Sequence, residues 1–528
     1  MPRSLVLALL LSFAGSAAAQ TDALTFTLGP IERIDDTDIA RSFGVLHNRG
    51  LDIHDVTVNV DLTGPRTTYI GGESDSGWSC RNGQTPYVLH CTTPLIRAGE
   101  SKTLQIYVGP LREARVHLAA QASWQSFEAV LYSPVSHQNG ALAREFVVSN
   151  SGDPGAGSLR AAIDASNEEC ARDQVPCSIV FQIDAPVPER GWHTIIPNTP
   201  LPAITAPDIE IDGATQTRFS GDTNPLGPEV ALDGSALWAG HGLQIAGTGL
   251  AFVSNLAIGG FPWHGIAVTR DSFASSRIES NYIGTDATGT REHPNRSRGI
   301  AFDLPASDFE VTHNIISGNG RSGVFIAGAF NVTLTENQIG TGTAGVAIPN
   351  GASGVFVGDD ASDILLRRNT IAHNAWFGVA LSQRVARFTL LENSITRNGF
   401  IGIDRGLDGF SGYHFDDLDV RNASIPPPRL LSAIYDPAAD RTTITGRYRP
   451  ERDHEGIWEF SLFASTVGDG QGETFLGTTS TANGTFTFNV TGNLSGRFIT
   501  ATGRRYLRIG LSGDWFWTSE FSEPIEVR

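Results

Sequence analysis

The sequence predicts an all-β protein organised around a solenoid, with a β-sandwich on either side of it. The first observation is a phrase that occurs six times between Asn255 and Ile403: an Asn, an apolar residue soon after, then Gly followed by Ile or Val. The Asn members are Asn255, Asn281, Asn314, Asn337, Asn369 and Asn393, and the Gly members are Gly265, Gly299, Gly323, Gly354, Gly378 and Gly402. Each Gly precedes the next Asn by 14 to 16 residues, whereas the stretch from Asn to its own Gly is either 9 to 10 or 17 to 18 residues. A period in the twenties that accepts insertions at one corner is the mark of a solenoid. The second observation is composition: 58 Gly and a single Met among 528 residues favour turn-rich β structure. The third is strand-period alternation outside the repeats, as in Val56, Val58, Val60 and Leu62 interleaved with Thr57, Asn59 and Asp61.

A chain of this length is expected to hold about two to four domains. Residues 1–20 read as a secretory signal: Arg3, an apolar run from Leu5 to Phe13, then Ala17-Ala18-Ala19 before Gln20. The run is far short of the ~20 apolar residues that span a bilayer. The expectation is an exported or surface-located chain without a membrane span after cleavage. Losing Arg3 takes the formal net charge of −18 to −19. Such acidity repels phosphate backbones and argues against nucleic acid as a partner. Oligomeric state is left open.

The four cysteines form two sequence-local pairs, Cys80 with Cys91 and Cys170 with Cys177. In an oxidising compartment local disulfides are expected, and a shared metal site is not, because the pairs lie in different segments.

Residues 21–142 hold short strand candidates at Phe43 to Leu46, Val56 to Leu62, Tyr87 to Cys91 and Thr103 to Val108, separated by turns such as Asn48-Arg49-Gly50. That spacing predicts a β-sandwich. Gly77-Trp78-Ser79-Cys80, Cys91-Thr92 and Ala98-Gly99-Glu100 resemble bacterial surface-repeat domains of the DUF11 type, which implies an Ig-like β-sandwich serving as a spacer or adhesive module.

Residues 143–425 are assigned to the solenoid. Ser158 is the expected N-cap of a short helix with Leu159, Ala162 and Ile163 on one face. Laid over the first coil and pinned by Cys170 and Cys177, that helix would cover an open sheet end. Less regular coils follow, with β-branched runs at Ile179 to Ile183, Thr194 to Ile196, Ile209 to Ile211, Val230 to Leu232 and Leu243 to Ile245. The phrases Gly157-Ser158-Leu159-Arg160-Ala161-Ala162-Ile163, Leu201-Pro202-Ala203-Ile204-Thr205, Ile211-Asp212-Gly213-Ala214-Thr215-Gln216 and Asn281-Tyr282-Ile283-Gly284-Thr285-Asp286 resemble those of exported bacterial right-handed parallel β-helix repeat proteins. The resemblance covers about residues 150–425. It implies a right-handed parallel β-helix and no single reaction.

Coils ~4.8 Å apart place each corner residue above its predecessor. An Asn there tolerates φ > 0 and can bond to the next Asn through its amide. Asn319, Asn374 and Asn398, each four residues before its Gly, read as a second column. Pro426-Pro427-Pro428 ends the solenoid. Beyond it, residues 429–528 offer strand candidates at Thr442 to Thr445, Trp458 to Phe463, Thr485 to Val490, Phe498 to Thr502, Leu507 to Leu511 and Ile525 to Val527, a second sandwich. Phe475-Leu476-Gly477-Thr478 and Ser519-Glu520-Phe521-Ser522 resemble the terminal module of the same proteins, whereas Trp515-Phe516-Trp517 departs from it.

Two long turns, Gly284 to Asn295 and Gly340 to Asn350, leave one corner two coils apart. Two places before each Gly stand Trp263, Ser297, Arg321, Ala352, Trp376 and Phe400, one column if register holds. Rings stack on sugar faces and Arg pairs with carboxylate, so Trp263, Arg321, Trp376 and Phe400 are the candidate ligand-binding residues. Packing under the long turns is the alternative. Asp404, Asp408, Asp416 and Asp417 are candidate catalytic acids, since paired carboxylates serve glycoside hydrolysis. They are also oxygen donors suited to Ca²⁺, but no clear calcium motif is present and no cofactor is expected. Gly402-Ile403-Asp404 resembles the β-helix proteins' exit from the last coil, which implies turn structure. Gly240-His241-Gly242 resembles a polygalacturonase phrase, yet its partner phrases are missing from suitable coils. The expectation is non-catalytic binding of glycans or surfaces, and the alternative is a polysaccharide lyase or glycoside hydrolase acting in a lateral groove.

Overall fold

A computed structural model describes most of residues 144–406 and 427–528, and chiefly the strands of the first 143 residues. Residues 1–23, which include the expected signal, lie outside the described residues, as do 407–426, 449–457 and several short loops. The chain divides into two compact units, Met1–Ala143 and Arg144–Arg528.

The first unit has two antiparallel sheets, of five and six strands. One joins Leu24–Leu28, Ala40–Asn48, Ser101–Gly109 and Thr68–Glu73, and the other is built on Ile53–Thr63, Val88–Ile96 and Val116–Trp124. Cys80 and Cys91 are directly opposed on neighbouring strands, their Cα atoms 4.1 Å apart, and are disulfide-bonded.

The second unit contains a parallel β-helix. Its coils contribute one strand each to three parallel sheets of nine, eight and seven strands. The first sheet runs from Arg144–Val148 to Ala386–Leu391, the second from His193–Ile195 to Ser394–Thr396, and the third from Leu243–Ile245 to Ile403–Arg405. Inward residues stack in unbroken columns such as Val253, Ile278, Val311, Leu334, Leu366 and Leu390. Each such side chain is buried, worth about 1.5–3 kcal/mol of transfer free energy.

The corner between the first and second sheets corrects the expected register. Asn281, Asn314, Asn337, Asn369 and Asn393 form a ladder in which each Nδ2 donates to the next Oδ1 at 2.9–3.2 Å. The positive φ falls on the preceding residue: Ser280, His313, Glu336, Arg368 and Glu392 have φ of 52–56°. Asn255, at φ 55°, belongs to that strained column and not to the ladder. Leu256 holds the ladder position, and its N–H donates to Asn281 Oδ1 at 3.1 Å.

A second ladder fills the corner between the second and third sheets: Asn295, Asn319, Asn350, Asn374 and Asn398, linked at 2.9–3.0 Å. Beside it, the repeated glycines are required by close approach. A Cβ on Gly354 would stand 2.5 Å from Ile371 Cγ2 and 2.7 Å from Asn374 Nδ2 of the next coil.

Both ends are covered. Helix α1, Leu159–Asp173, buries Leu159, Ala162, Ile163 and Cys170 against the first coil and is tied to it by Cys170–Cys177. Ser158 Oγ accepts from Ala161 N at 3.2 Å, an N-cap. Helix α2, Ala214–Ser220, occupies the Ile211-to-Gln216 phrase. Its buried Gln216 accepts from Ile183 N at 2.8 Å, and Thr215 Oγ1 accepts from Phe181 N at 2.6 Å, satisfying backbone beyond the point where pairing with Ile209–Asp212 ends. At the far end two antiparallel sheets, of three and five strands, enclose Ile444, Phe460, Leu462, Phe486 and Ile499. Trp515-Phe516-Trp517 lies in one of their strands, Asp514–Thr518. Phe463 and Phe521 from this module enter the solenoid core, and Gly472 exchanges two 2.8 Å backbone bonds with Ile395.

Candidate functional site

The six residues two places before each Gly stack in one column on the corner between the second and third sheets. Backbone N–H groups of Ser297, Arg321, Ala352, Trp376 and Phe400 each donate to the carbonyl one coil earlier, at 2.8–3.2 Å, beginning from Trp263 O. Trp263, Trp376 and Phe400 are 50%, 55% and 56% exposed, and Arg321 is exposed between them. Trp263 and Trp376 are separated by four coil rises, about 19 Å at ~4.8 Å each.

The two long turns leave at this same corner. Each closes on itself through an antiparallel bridge, Thr285 with Glu292 and Thr341 with Ala347. They also lean on each other: Thr343 N donates to Gly289 O at 2.9 Å, and its hydroxyl to Thr288 O at 2.8 Å. They re-enter the solenoid as Pro294-Asn295 and Pro349-Asn350, so insertion leaves the second ladder intact.

One place nearer the Gly, a polar cluster appears that the sequence reading did not find. Its column is His241, His264 and Arg298, beside the third sheet. Ala267 and Ala301 form a low floor on that sheet, over which His264 and Arg298 reach toward Asp303. His264 Nε2 is 3.5 Å from Asp303 Oδ2, and Arg298 Nη1 is 3.3 Å from Asp303 Oδ1. The Arg298 guanidinium lies 3.5 Å from the Phe325 ring centroid, and Phe325 stacks on Phe356 at 5.3 Å, a cation–π contact backed by a second ring.

Backbone donors define the imidazoles. His241 Nδ1 accepts from His264 N at 3.3 Å, and His264 Nδ1 accepts from Arg298 N at 3.2 Å. A backbone N–H only donates, so each neutral ring carries its proton on Nε2. The His241 ring also meets Trp263 edge-on at 5.0 Å. Burial, aided by neighbouring His264 and opposed by Asp303, lowers the His241 pKa to about 4, so it is uncharged at neutral pH. Its His264 neighbour holds Asp303 below the usual carboxylate range, and burial pulls Arg298 down. In a chain of net charge −18, Arg321 and Arg298, the latter paired with Asp303, place two guanidinium groups beside aromatic edges. This strip can pair with a carboxylate and stack on a ring.

The candidate acids are placed differently. Asp404 is fully buried, so its carboxylate does not reach a surface ligand. Asp408, Asp416 and Asp417 lie outside the described residues. Among the described residues no group of three or more His, Cys, Asp or Glu is arranged to hold a metal ion. The register of the pre-glycine position was the one sequence signal for the cluster.

The family described as right handed beta helix region matches residues 239–416. With the three parallel sheets, this defines the solenoid as a right-handed parallel β-helix. Among solved structures the chain is similar to the catalytic domain of Agl-KA, at 12% identity and a TM-score of 0.31 over 73% of this chain and 74% of that one. It is also similar to the periplasmic alginate epimerase AlgG, at 11% and 0.28 over 50% and 55%. A third is the A-module of the Azotobacter vinelandii mannuronan C-5 epimerase AlgE4, at 14% and 0.25 over 47% and 88%. No curated protein matches the chain.

Proposed function

We propose that this is an exported or cell-surface β-helix protein that binds an acidic polysaccharide along the corner of its second and third sheets, without transforming it. The observation that carries the reading is the exposed column Trp263, Arg321, Trp376 and Phe400, flanked by Arg298. A surface-directed side chain repeated at ~4.8 Å intervals suits a repeating polymer. Aromatic faces take the sugar rings, and the guanidinium groups take the carboxylates. Two disulfides fit an oxidising compartment. The test is a glycan array probed with the intact protein and with Trp263→Ala/Trp376→Ala. Equal retention of both on acidic glycans would sink the proposal.

A second reading, catalysis, is favoured by one observation. His241 is uncharged at neutral pH and stands with its ring 5.0 Å from that of His264, which faces Asp303. A neutral imidazole beside a second ring and a carboxylate has the parts of a proton-transfer site. Incubation with acidic polysaccharides, with and without Ca²⁺, tests it, and release of neither unsaturated nor reducing ends would remove it.

A further inference from the structure

The second sheet carries a hollow that the acidic-chain reading does not use. Its outward column begins at Thr194, continues through the small Ala231 and Ala257, and then turns bulky at Tyr282 and Ile315. Gly259 lies alongside on the Ala257 strand. Over this floor the first long turn closes one side, and a loop carrying Arg190 and Trp192 forms another part of the lining. The result is a cavity of about 170 Å³.

The lining has specific chemistry. Asp233 accepts from His293 Nε2 at 3.0 Å and from Ser235 N at 2.9 Å. The His293 bond, with the smaller help of Ser235, lowers its pKa to about 2 and keeps it ionised. A Cβ at Gly259 would lie 2.4 Å from His293 Cδ2, so the glycine is what lets that imidazole settle over the sheet. The Asp233–His293 pair has an ordinary structural role, pinning the long turn, but that role explains neither the alanine floor nor the indole in the lining. Trp192 is half-buried, with the Arg190 guanidinium 5.7 Å from its ring centroid. Asp286 also lines the cavity, its carboxylate engaged by Thr288 and by the N–H groups of Thr290 and Arg291.

We propose that this hollow is a monosaccharide site for a neutral pyranose, which stacks on Trp192 and donates hydroxyls to Asp233. The two lining carboxylates, Asp233 and Asp286, outnumber the one guanidinium, Arg190, so the lining disfavours a uronate, the opposite preference to the Arg298 and Arg321 strip. The proposal therefore stands independently of the acidic-chain reading.

Isothermal titration of the full chain with the methyl pyranosides of glucose, galactose, mannose and N-acetylglucosamine, and with glucuronate, tests it. One neutral glycoside is expected to bind at a single site with millimolar affinity, more tightly than glucuronate. Ala231→Leu fills the floor and Trp192→Ala removes the platform, and each is expected to weaken binding by about tenfold or more. Trp192 stands on a loop outside both ladders, so its removal leaves the fold intact should leucine at 231 not be tolerated. Trp376→Ala is expected to leave monosaccharide binding unchanged while weakening the acidic chain. No binding of any neutral glycoside, tighter binding of glucuronate, or binding that survives loss of Trp192 would overturn the site.

Discussion

Gln471 completes the asparagine ladder that Asn398 would otherwise end. Its Oε1 accepts from Asn398 N at 3.1 Å and from Asn398 Nδ2 at 3.0 Å. Asn398 Oδ1 makes the same pair of bonds with Asn374, at 3.1 and 2.9 Å. The extra methylene of glutamine lets the C-terminal module reach the position that a next coil would have supplied. Gln471 Nε2 then donates to Asn398 O and Phe400 O, both at 3.1 Å. Phe521 lies 2.9 Å from where a Cβ on Gly402 would stand, so the module also replaces the next coil's packing.

Gln471→Ala is accordingly expected to cost about 1–3 kcal/mol for each buried group left without a partner. Urea unfolding of the two proteins measures it. A loss under about 0.5 kcal/mol, the range of an unimportant surface change, would mean that the ladder ends at Asn398.

The register at the first corner gives a paired prediction. Asn255 has φ 55° and stands in the column of Ser280 and His313, so Asn255→Gly relieves a left-handed residue and is expected to be neutral or slightly stabilising. Asn281 is fully buried and bonds to Val253 O, at 2.9 Å, and to the Asn314 amide. Asn281→Gly is expected to cost on the order of 3 kcal/mol or more, from several unsatisfied groups. Equal melting temperatures for the two variants would refute the assignment.

These positions show what was legible. The repeats could be read because every coil asks the same side chain of the same corner, and glycine is enforced by the coil beneath it. The left-handed column could not, since Glu336, Arg368 and Glu392 are not residues that favour φ > 0. Stacking holds them there, helped by a line of alternating charge in which His313 meets Glu336 at 2.7 Å and Arg368 meets Glu392 at 2.6 Å. Asn295 and Asn350 were hidden behind the long turns, which insert just ahead of them at the same corner. The polar cluster has no local pattern at all, because His241, His264 and Arg298 are 23 and 34 residues apart and meet only through register. Gln471 comes from a separate module.

The depressed His241 pKa makes a pH prediction with a definite sign. The unfolded chain takes up a proton near the ordinary value of 6.5, whereas the folded ring resists protonation until about 4. Between those values the unfolded state binds more protons, so acidification through this window destabilises the fold. His241→Gln removes the titration and is expected to flatten the fall in melting temperature between pH 6.5 and 4. The His313–Glu336 pair limits how flat it becomes. Its raised imidazole adds stability that is present below pH 6.5 and lost as pH rises through the higher folded value. Its lowered carboxylate adds stability that is present above 4.5 and lost as pH falls through the lower folded value. An unchanged profile in His241→Gln would show that the ring charges as readily folded as unfolded.

Charge at the exposed column separates recognition of an acidic chain from simple stacking. Arg321 lies midway between Trp263 and Trp376, two coil rises from each, and its side chain is exposed. A guanidinium presents a planar fork to a carboxylate, which an ammonium does not. Arg321→Ala is therefore expected to weaken binding of an acidic polysaccharide about tenfold, near the 1.4 kcal/mol of one charge-assisted contact, with Arg321→Lys falling between. Raising salt should weaken the parent protein more than Arg321→Ala, because screening acts on the contact that the variant lacks. Trp376→Ala is expected to lose affinity with little change in salt dependence, since stacking carries no net charge. Equal salt sensitivity in the parent and Arg321→Ala would assign the carboxylate contact to Arg298, whose guanidinium lies 3.5 Å from the Phe325 centroid and 3.3 Å from Asp303.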